Sequence, residues 1–168
     1  MPVSMVGELR FVAVGQDDPL AQPLLAELAT EYADRYNGEA DAILAWLTRY
    51  PPGEFAAPGG MLLVGLLGDR PVTGGAFRSF GVVDGVATAE LKRIWTDSAH
   101  RRRGYARALL AALESEIVAR GYGRVYLTTG DRQPEAEALY LATGYERLDE
   151  PLPAENEVYP VAFAKRLP

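Results

Sequence analysis

Glu90-Leu91-Lys92-Arg93-Ile94-Trp95-Thr96 leads through a polar turn into Arg101-Arg102-Arg103-Gly104-Tyr105-Ala106, with Leu109-Leu110 just beyond. The first stretch reads as the end of a strand running from about Val86 to Thr96. After the turn from Asp97 to Arg103, Ala106, Leu109, Leu110, Leu113 and Ile117 recur at helical spacing until Gly121 closes the run. A helix start leaves backbone N–H groups unpaired and carries partial positive charge. Gly104 and Ala106 have no bulk to keep a ligand from that backbone, and the arginines add counter-charge. This is the chemistry of a diphosphate cradle. By itself the hexapeptide is equally readable as a basic helix start on the surface.

Working outward, Asp84-Gly85 between Val82-Val83 and Val86-Ala87 predicts a two-residue hairpin, because such turns need positive φ. Its partner strand runs from Val72 to Val83, and the turn Gly68-Asp69-Arg70-Pro71 joins that to a strand from Met61 to Leu67. Further upstream, Glu8 to Val14 reads as a strand. Asp18-Pro19 is a helix start whose apolar face holds Leu20, Leu24, Leu25, Leu28 and Tyr32, ended by Asn37-Gly38. A second helix near Glu39 to Tyr50 carries Ile43, Leu44 and Leu47 and stops at Pro51-Pro52; the loop to Gly60 follows. Downstream, Arg124 to Thr129 is a strand. Pro134 opens a helix that turns Ala136, Leu139, Tyr140 and Thr143 one way before Gly144. Tyr145 to Asp149 and Glu157 to Lys165 read as final strands, the last confined by Pro160 to an edge or a bulge. The expected order is β-αα-βββ-α-β-α-ββ. It implies an α+β fold in one domain over residues 1–168, with a mixed, mostly antiparallel sheet and helices on both faces.

Composition narrows the chemistry. The 168 residues include no cysteine, so disulfides, thiolate zinc sites and cysteine nucleophiles are excluded, and the lone His100 argues against a histidine metal centre. A net charge of −6 disfavours binding to nucleic acid. Against that background Lys92, Arg93, Arg101, Arg102, Arg103 and Arg107 form a basic block interrupted only by Asp97, which points to a confined anionic ligand. The N-terminus shows no signal peptide, and the longest apolar run is too short to span a bilayer, so the expectation is a cytoplasmic protein without membrane contact.

These residues resemble the GNAT superfamily of acyl-CoA N-acyltransferases. The family pattern Arg/Gln-x-x-Gly-x-Gly/Ala is met by Arg101, Gly104 and Ala106. The run from Ala89 to Tyr145 is similar throughout, with Leu127-Thr128-Thr129-Gly130, Gln133-Pro134-Glu135-Ala136 and Leu139-Tyr140 before Gly144-Tyr145. The resemblance implies acetyl-CoA as co-substrate, its diphosphate on the amides of Arg102 to Ala106. The pantetheine arm would lie along Ile94, Trp95 and Thr96, with the Ile94 amide facing the thioester carbonyl. Ser98 replaces a frequent proline. Gln133 replaces an asparagine that helps to hold the cofactor. Homodimers are common among proteins of this kind.

Transfer to an amine needs a neutral nucleophile and a protonated leaving thiol. The resemblance makes Tyr140 the thiol's proton donor; from its apolar helix face alone it reads as a core tyrosine. Glu90 matches the spacing of a base glutamate in some branches, and reads equally as a strand glutamate paired with a nearby cation. Period-2 counting puts Glu90, Lys92, Ile94 and Thr96 on one face. Glu31, Tyr32, Tyr36 and Phe55 are candidates for the acceptor cleft, and the negative net charge mildly favours a cationic amine. The expected function is N-acetylation of an amine on a small molecule or peptide by direct attack. A non-catalytic acyl-CoA-binding regulatory module is the alternative.

Overall fold

The computed structural model describes residues 2–6, 9–36, 38–47, 55–131, 133–154 and 159–168. Along the chain come β1 (Pro2–Val6), β2 (Leu9–Ala13), α1 (Gln22–Tyr36), α2 (Ala40–Leu47), β3 (Met61–Leu67), β4 (Arg70–Val83), β5 (Val86–Thr96), α3 (Tyr105–Ala119), β6 (Arg124–Thr129), α4 (Pro134–Ala142), β7 (Glu146–Arg147) and β8 (Val161–Arg166). The strands form one sheet in the order β1-β2-β3-β4-β5-β6-β8-β7, and only β5 and β6 pair in parallel. This is the mixed, mostly antiparallel α+β architecture expected from the sequence.

Local chemistry explains the element ends. Asp18 caps the first helical turn, its Oδ1 accepting from Leu20 N at 2.9 Å, and Pro19 sits at the first position. Asp84 and Gly85 take φ of 50° and 80°, as the tight hairpin between β4 and β5 requires. The structure also departs from expectation at two strands. β1 precedes the expected first strand; it is an edge strand held by backbone pairing to β2, with Pro2 and Ser4 blurring any alternation. β8 lies between β6 and β7 and not at an edge, because Pro160 falls just before its first residue and removes no ladder donor. α2 is described only to Leu47, so the expected continuation to Tyr50 and the Pro51-Pro52 stop lie outside the described residues.

The sheet separates two apolar layers. Leu109, Leu110, Leu113 and Ile117 of α3 and Tyr140 of α4 pack on Leu63, Phe77, Leu91, Leu127 and Phe163. On the other face, Leu24, Leu25 and Leu28 of α1 and Leu47 of α2 pack with Leu62, Ala76 and Trp95. Helices thus cover both faces.

A bulge in β5 decides which layer each of its residues meets. Gly74 pairs with Trp95 and Ala76 with Lys92, leaving Gly75 opposite both Arg93 and Ile94. Arg93 absorbs the extra residue with φ of 62°. Gly74 and Ala76 share a face, so Lys92 and Trp95 point together toward α1. Leu91 and Ile94 point toward α3, and a Cβ on Gly75 would stand 2.6 Å from Ile94 Cδ1. The period-2 expectation is therefore corrected: Ile94 and Thr96 lie on the face opposite Glu90 and Lys92.

Candidate active site

The parallel pairing of β5 with β6 covers only Thr88–Glu90 against Arg124–Tyr126. Beyond it the strands part, and Leu91–Thr96 and Leu127–Thr129 become walls of a cavity of about 620 Å³. That size is ample for a small-molecule site. The start of α3 closes one end. Tyr140, Leu139 and Ala136 come from α4 and Gln133 from its N-cap, Glu31, Tyr32 and Arg35 from α1, and Tyr159 from the approach to β8.

The α3 end is built to meet an anion. Gly104 is the N-cap, in left-handed conformation at φ 82°, and no side chain caps the first turn. A Cβ at Gly104 would meet nothing within 4 Å, so that side of the turn is open. Arg102, Gly104, Tyr105, Ala106 and Arg107 all line the cavity, whereas Arg103 is exposed and does not. Arg101 lines it too, but its guanidinium turns to α1: Nε donates to Thr96 O at 3.3 Å, Nη2 donates to Glu31 Oε1, and Glu27 Oε1 stands 4.0 Å away. Behind the turn His100 Nδ1 meets Asp97 Oδ2 at 2.5 Å. That hydrogen bond outweighs burial and, with lesser help from Glu27, the His100 charge and the Ala99 backbone, holds the Asp97 carboxyl below the usual aspartate range.

Tyr140 is buried, its ring 5.6 Å from those of both Tyr145 and Phe163. Burial first, then neighbouring Tyr32, pushes the Tyr140 phenol well above the ordinary tyrosine range, so it holds its proton at neutral pH. Gln133 faces the cavity with its Nε2 buried and without a hydrogen-bond acceptor among the described residues. Such an orphaned donor fits a bound polar ligand.

Glu90 stands apart. It is only 2% exposed, Arg78 Nε donates to its Oε1 at 3.0 Å, and Lys92 Nζ is 3.5 Å from its Oε2. Lys92 lines the cavity and Glu90 does not. Phe55 is likewise absent from the walls: at 2% exposure it belongs to the layer under α1 and α2, with the Arg93 guanidinium 5.6 Å above its ring. Glu31 and Tyr32 are on the walls; the side chain of Tyr36 lies outside the described residues.

Residues 22–145 match the Acetyltransferase (GNAT) family model. The chain belongs to this family. It is 33% identical over 85 residues to human N-acetyltransferase 8, a stretch that is 51% of this chain and 34% of that protein. The chain therefore spans about a third of the length of that relative. A solved acyl-CoA N-acyltransferase of Klebsiella pneumoniae is 25% identical, with a TM-score of 0.70 over 95% of this chain and 97% of that one. A GNAT family acetyltransferase of Elizabethkingia anophelis, solved with acetyl-CoA bound, superposes with a TM-score of 0.63 at 16% identity, over 96% and 100% of the two chains. At that identity the likeness shows the fold alone.

Several wall residues of this GNAT chain escape a sequence reading. Arg35 donates to Glu135 Oε1, joining α1 to the start of α4 across a hundred residues. Burial opposes the Glu135 charge, but the Arg35 hydrogen bond, with its own backbone amide and the charges of Arg35 and Arg101, holds its carboxyl below the usual range. Tyr159 meets Tyr32 edge-on at 6.4 Å. Only the charges at Glu27, Glu31 and Arg35, one per helical turn, hint in the sequence that this face of α1 meets something charged. No motif marks His100 or Tyr159. Among the described residues, no cluster of three or more His, Cys, Asp or Glu is placed to hold a metal, and no helix is long and apolar enough to cross a membrane.

Proposed function

We propose that the chain, as a single domain, is an N-acetyltransferase that uses acetyl-CoA to acetylate an amine by direct attack. The observation that carries this reading is the cavity at the parting of β5 and β6, with the uncapped, open start of α3 at one end and protonated Tyr140 on its wall. The acetyl-CoA bound to the Elizabethkingia relative supports the choice of donor.

Residues present fit coenzyme A. The amides of Arg102 to Ala106 and the side chains of Arg102 and Arg107 would hold its diphosphate, and Gln133 Nε2 would find an acceptor on it. Ile94, Trp95 and Thr96 would flank the pantetheine arm. Bound acetyl-CoA supplies an activated acetyl group, as a thioester, and a thiol leaving group. Among the described residues β5 has no partner strand past Glu90 on the β6 side, and the bulge interrupts its pairing at Ile94, which supports the reading that the Ile94 amide polarises the acyl oxygen. Tyr140 keeps its proton until a thiolate appears beside it. Glu31 and Tyr32 line the side from which the amine approaches. Glu90, screened by Lys92, acts on that lysine's position and not on the acceptor. Water takes one proton from the ammonium before attack, and the proton lost as the amide forms returns through water to Tyr140 and restores the donor.

The test is thiol release from acetyl-CoA against a panel of lysine, spermidine, tyramine and a tripeptide with a free amino terminus, with the product identified by mass. Turnover of any amine supports the reading. Coenzyme A binding without turnover across a wide amine panel would leave a regulatory binding module.

A further inference from the structure

Glu27, Glu31 and Arg35 follow one another at four-residue intervals on α1, and each contacts the turn before α3 or the start of α4. Glu27 Oε1 accepts from Ser98 N at 2.7 Å, Glu31 accepts from Arg101, and Arg35 donates to Glu135. The middle contact differs from its neighbours, because Arg101 belongs to the loop that forms the anion cradle. Its contacts with Thr96 O, Glu31 and Glu27 lie on the α1 and β5 side. Arg102 and Gly104, on the same loop, line the end of the cavity where an anion would sit.

We infer that Arg101 is shared between two rival anions, the Glu31 carboxylate and the cofactor diphosphate, so that cofactor binding frees Glu31 to receive the ammonium of a cationic acceptor. The inference rests on the acetyltransferase reading above. Arg101 is a long, partly exposed side chain that can swing between partners a few ångströms apart. A diphosphate brings more negative charge than one carboxylate, and its arrival beside Glu31 and Glu27 sets like charges together unless Arg101 turns toward it. Once Arg101 turns, Glu31 is left as a carboxylate on the cavity wall next to Tyr32 and Tyr159. A carboxylate beside aromatic rings is a receptor for an ammonium group. Glu135 does not become available in the same way, since Arg35, its partner, lies outside the cradle loop. The acceptor is therefore selected for positive charge once the cofactor is bound.

The test titrates coenzyme A, and separately pantetheine, which lacks the diphosphate, into wild-type and Glu31→Gln proteins by calorimetry. Removing the rival carboxylate should tighten coenzyme A binding about fivefold or more and leave pantetheine unchanged. Glu137→Gln, which breaks an ion pair with Arg147 away from the cavity, should change neither. An unchanged or weaker affinity of Glu31→Gln for coenzyme A overturns the inference, because Glu31 would then be holding Arg101 in place for the cofactor. Equal tightening of pantetheine overturns it as well. In steady state, with the best amine of the panel, Glu31→Gln should raise the KM for amine about tenfold or more while the KM for acetyl-CoA falls. An unchanged amine KM removes Glu31 as the ammonium receptor. Circular dichroism confirms folding, and Glu31→Ala should give the same signs. A wild-type chain that does not bind coenzyme A would sink the acetyltransferase reading itself, a result distinct from every outcome above.

Discussion

Tyr140 and Glu90 are two buried polar side chains, one on the cavity wall and one behind it, and their surroundings predict opposite behaviour. Tyr140→Phe keeps the ring against Tyr145 and Phe163 and removes only the proton, so kcat should fall by roughly 10²–10⁴ while acetyl-CoA affinity holds. Normal kcat would return the residue to the core. The raised pKa has its own consequence. A phenol that is harder to ionise folded than unfolded contributes stability that is fully present below pH 10, the unfolded value, and is lost as pH rises beyond it. Tyr140→Phe should therefore flatten the loss of stability above pH 10, followed by denaturant titration at several pH values. Glu90 is held between Arg78 and Lys92, and Lys92, not Glu90, lines the cavity. Glu90→Gln should leave the shape of the pH–rate profile in place. Recovery of a depressed rate at high pH would reinstate Glu90 as the base. Glu90→Ala should cost about 3 kcal/mol of stability, the low end for a broken buried pair because Arg78 is partly exposed.

At the scale of elements, the strand–turn–helix from β5 to α3 was the most legible part of the chain. Its signals are local: a β-prone run, a glycine where the backbone must be left-handed, and leucines at helical spacing. Gly104→Glu should abolish measurable coenzyme A binding by calorimetry, filling an open turn with a side chain of the wrong charge. The left-handed φ adds about 1–2 kcal/mol of destabilisation, so circular dichroism should still show a folded protein. Intact binding would remove the cradle. The bulge was not legible. Arg93 adopts positive φ without being Gly, Asn or Asp, and nothing in Lys92-Arg93-Ile94 announces it. Counting by twos therefore gave the wrong face for Ile94 and Thr96. Phe55 was misjudged for a related reason, since an aromatic in a Pro/Gly-rich loop looks available until the packing under α2 is seen. The contacts of α1 with Arg101 and Glu135 span 70 and 100 residues, beyond the reach of any local pattern.

The molecule as a whole lends every layer to the cavity: α1 from one face of the sheet, α3 and α4 from the other, and β5 and β6 between them. A ligand held by so many elements stabilises their common fold. Coenzyme A at a hundred times its dissociation constant should add about 2.7 kcal/mol, raising Tm by about 5–10 °C for a domain of this size. A thermal shift scan checks this, and an unmoved Tm at saturating ligand would mean that the elements do not close on the cofactor together. The unequal count at Gly75 matters at this scale too. β5 changes parity at Arg93: residues before it obey one odd–even rule and residues after it the reverse. A chain with the same residues but regular pairing at Arg93 would keep its composition and its strands, yet Ile94 would address the helix layer now facing Trp95, and Trp95 the layer now facing Ile94. Sequences compared position by position across this point can agree letter for letter and still describe walls turned inside out.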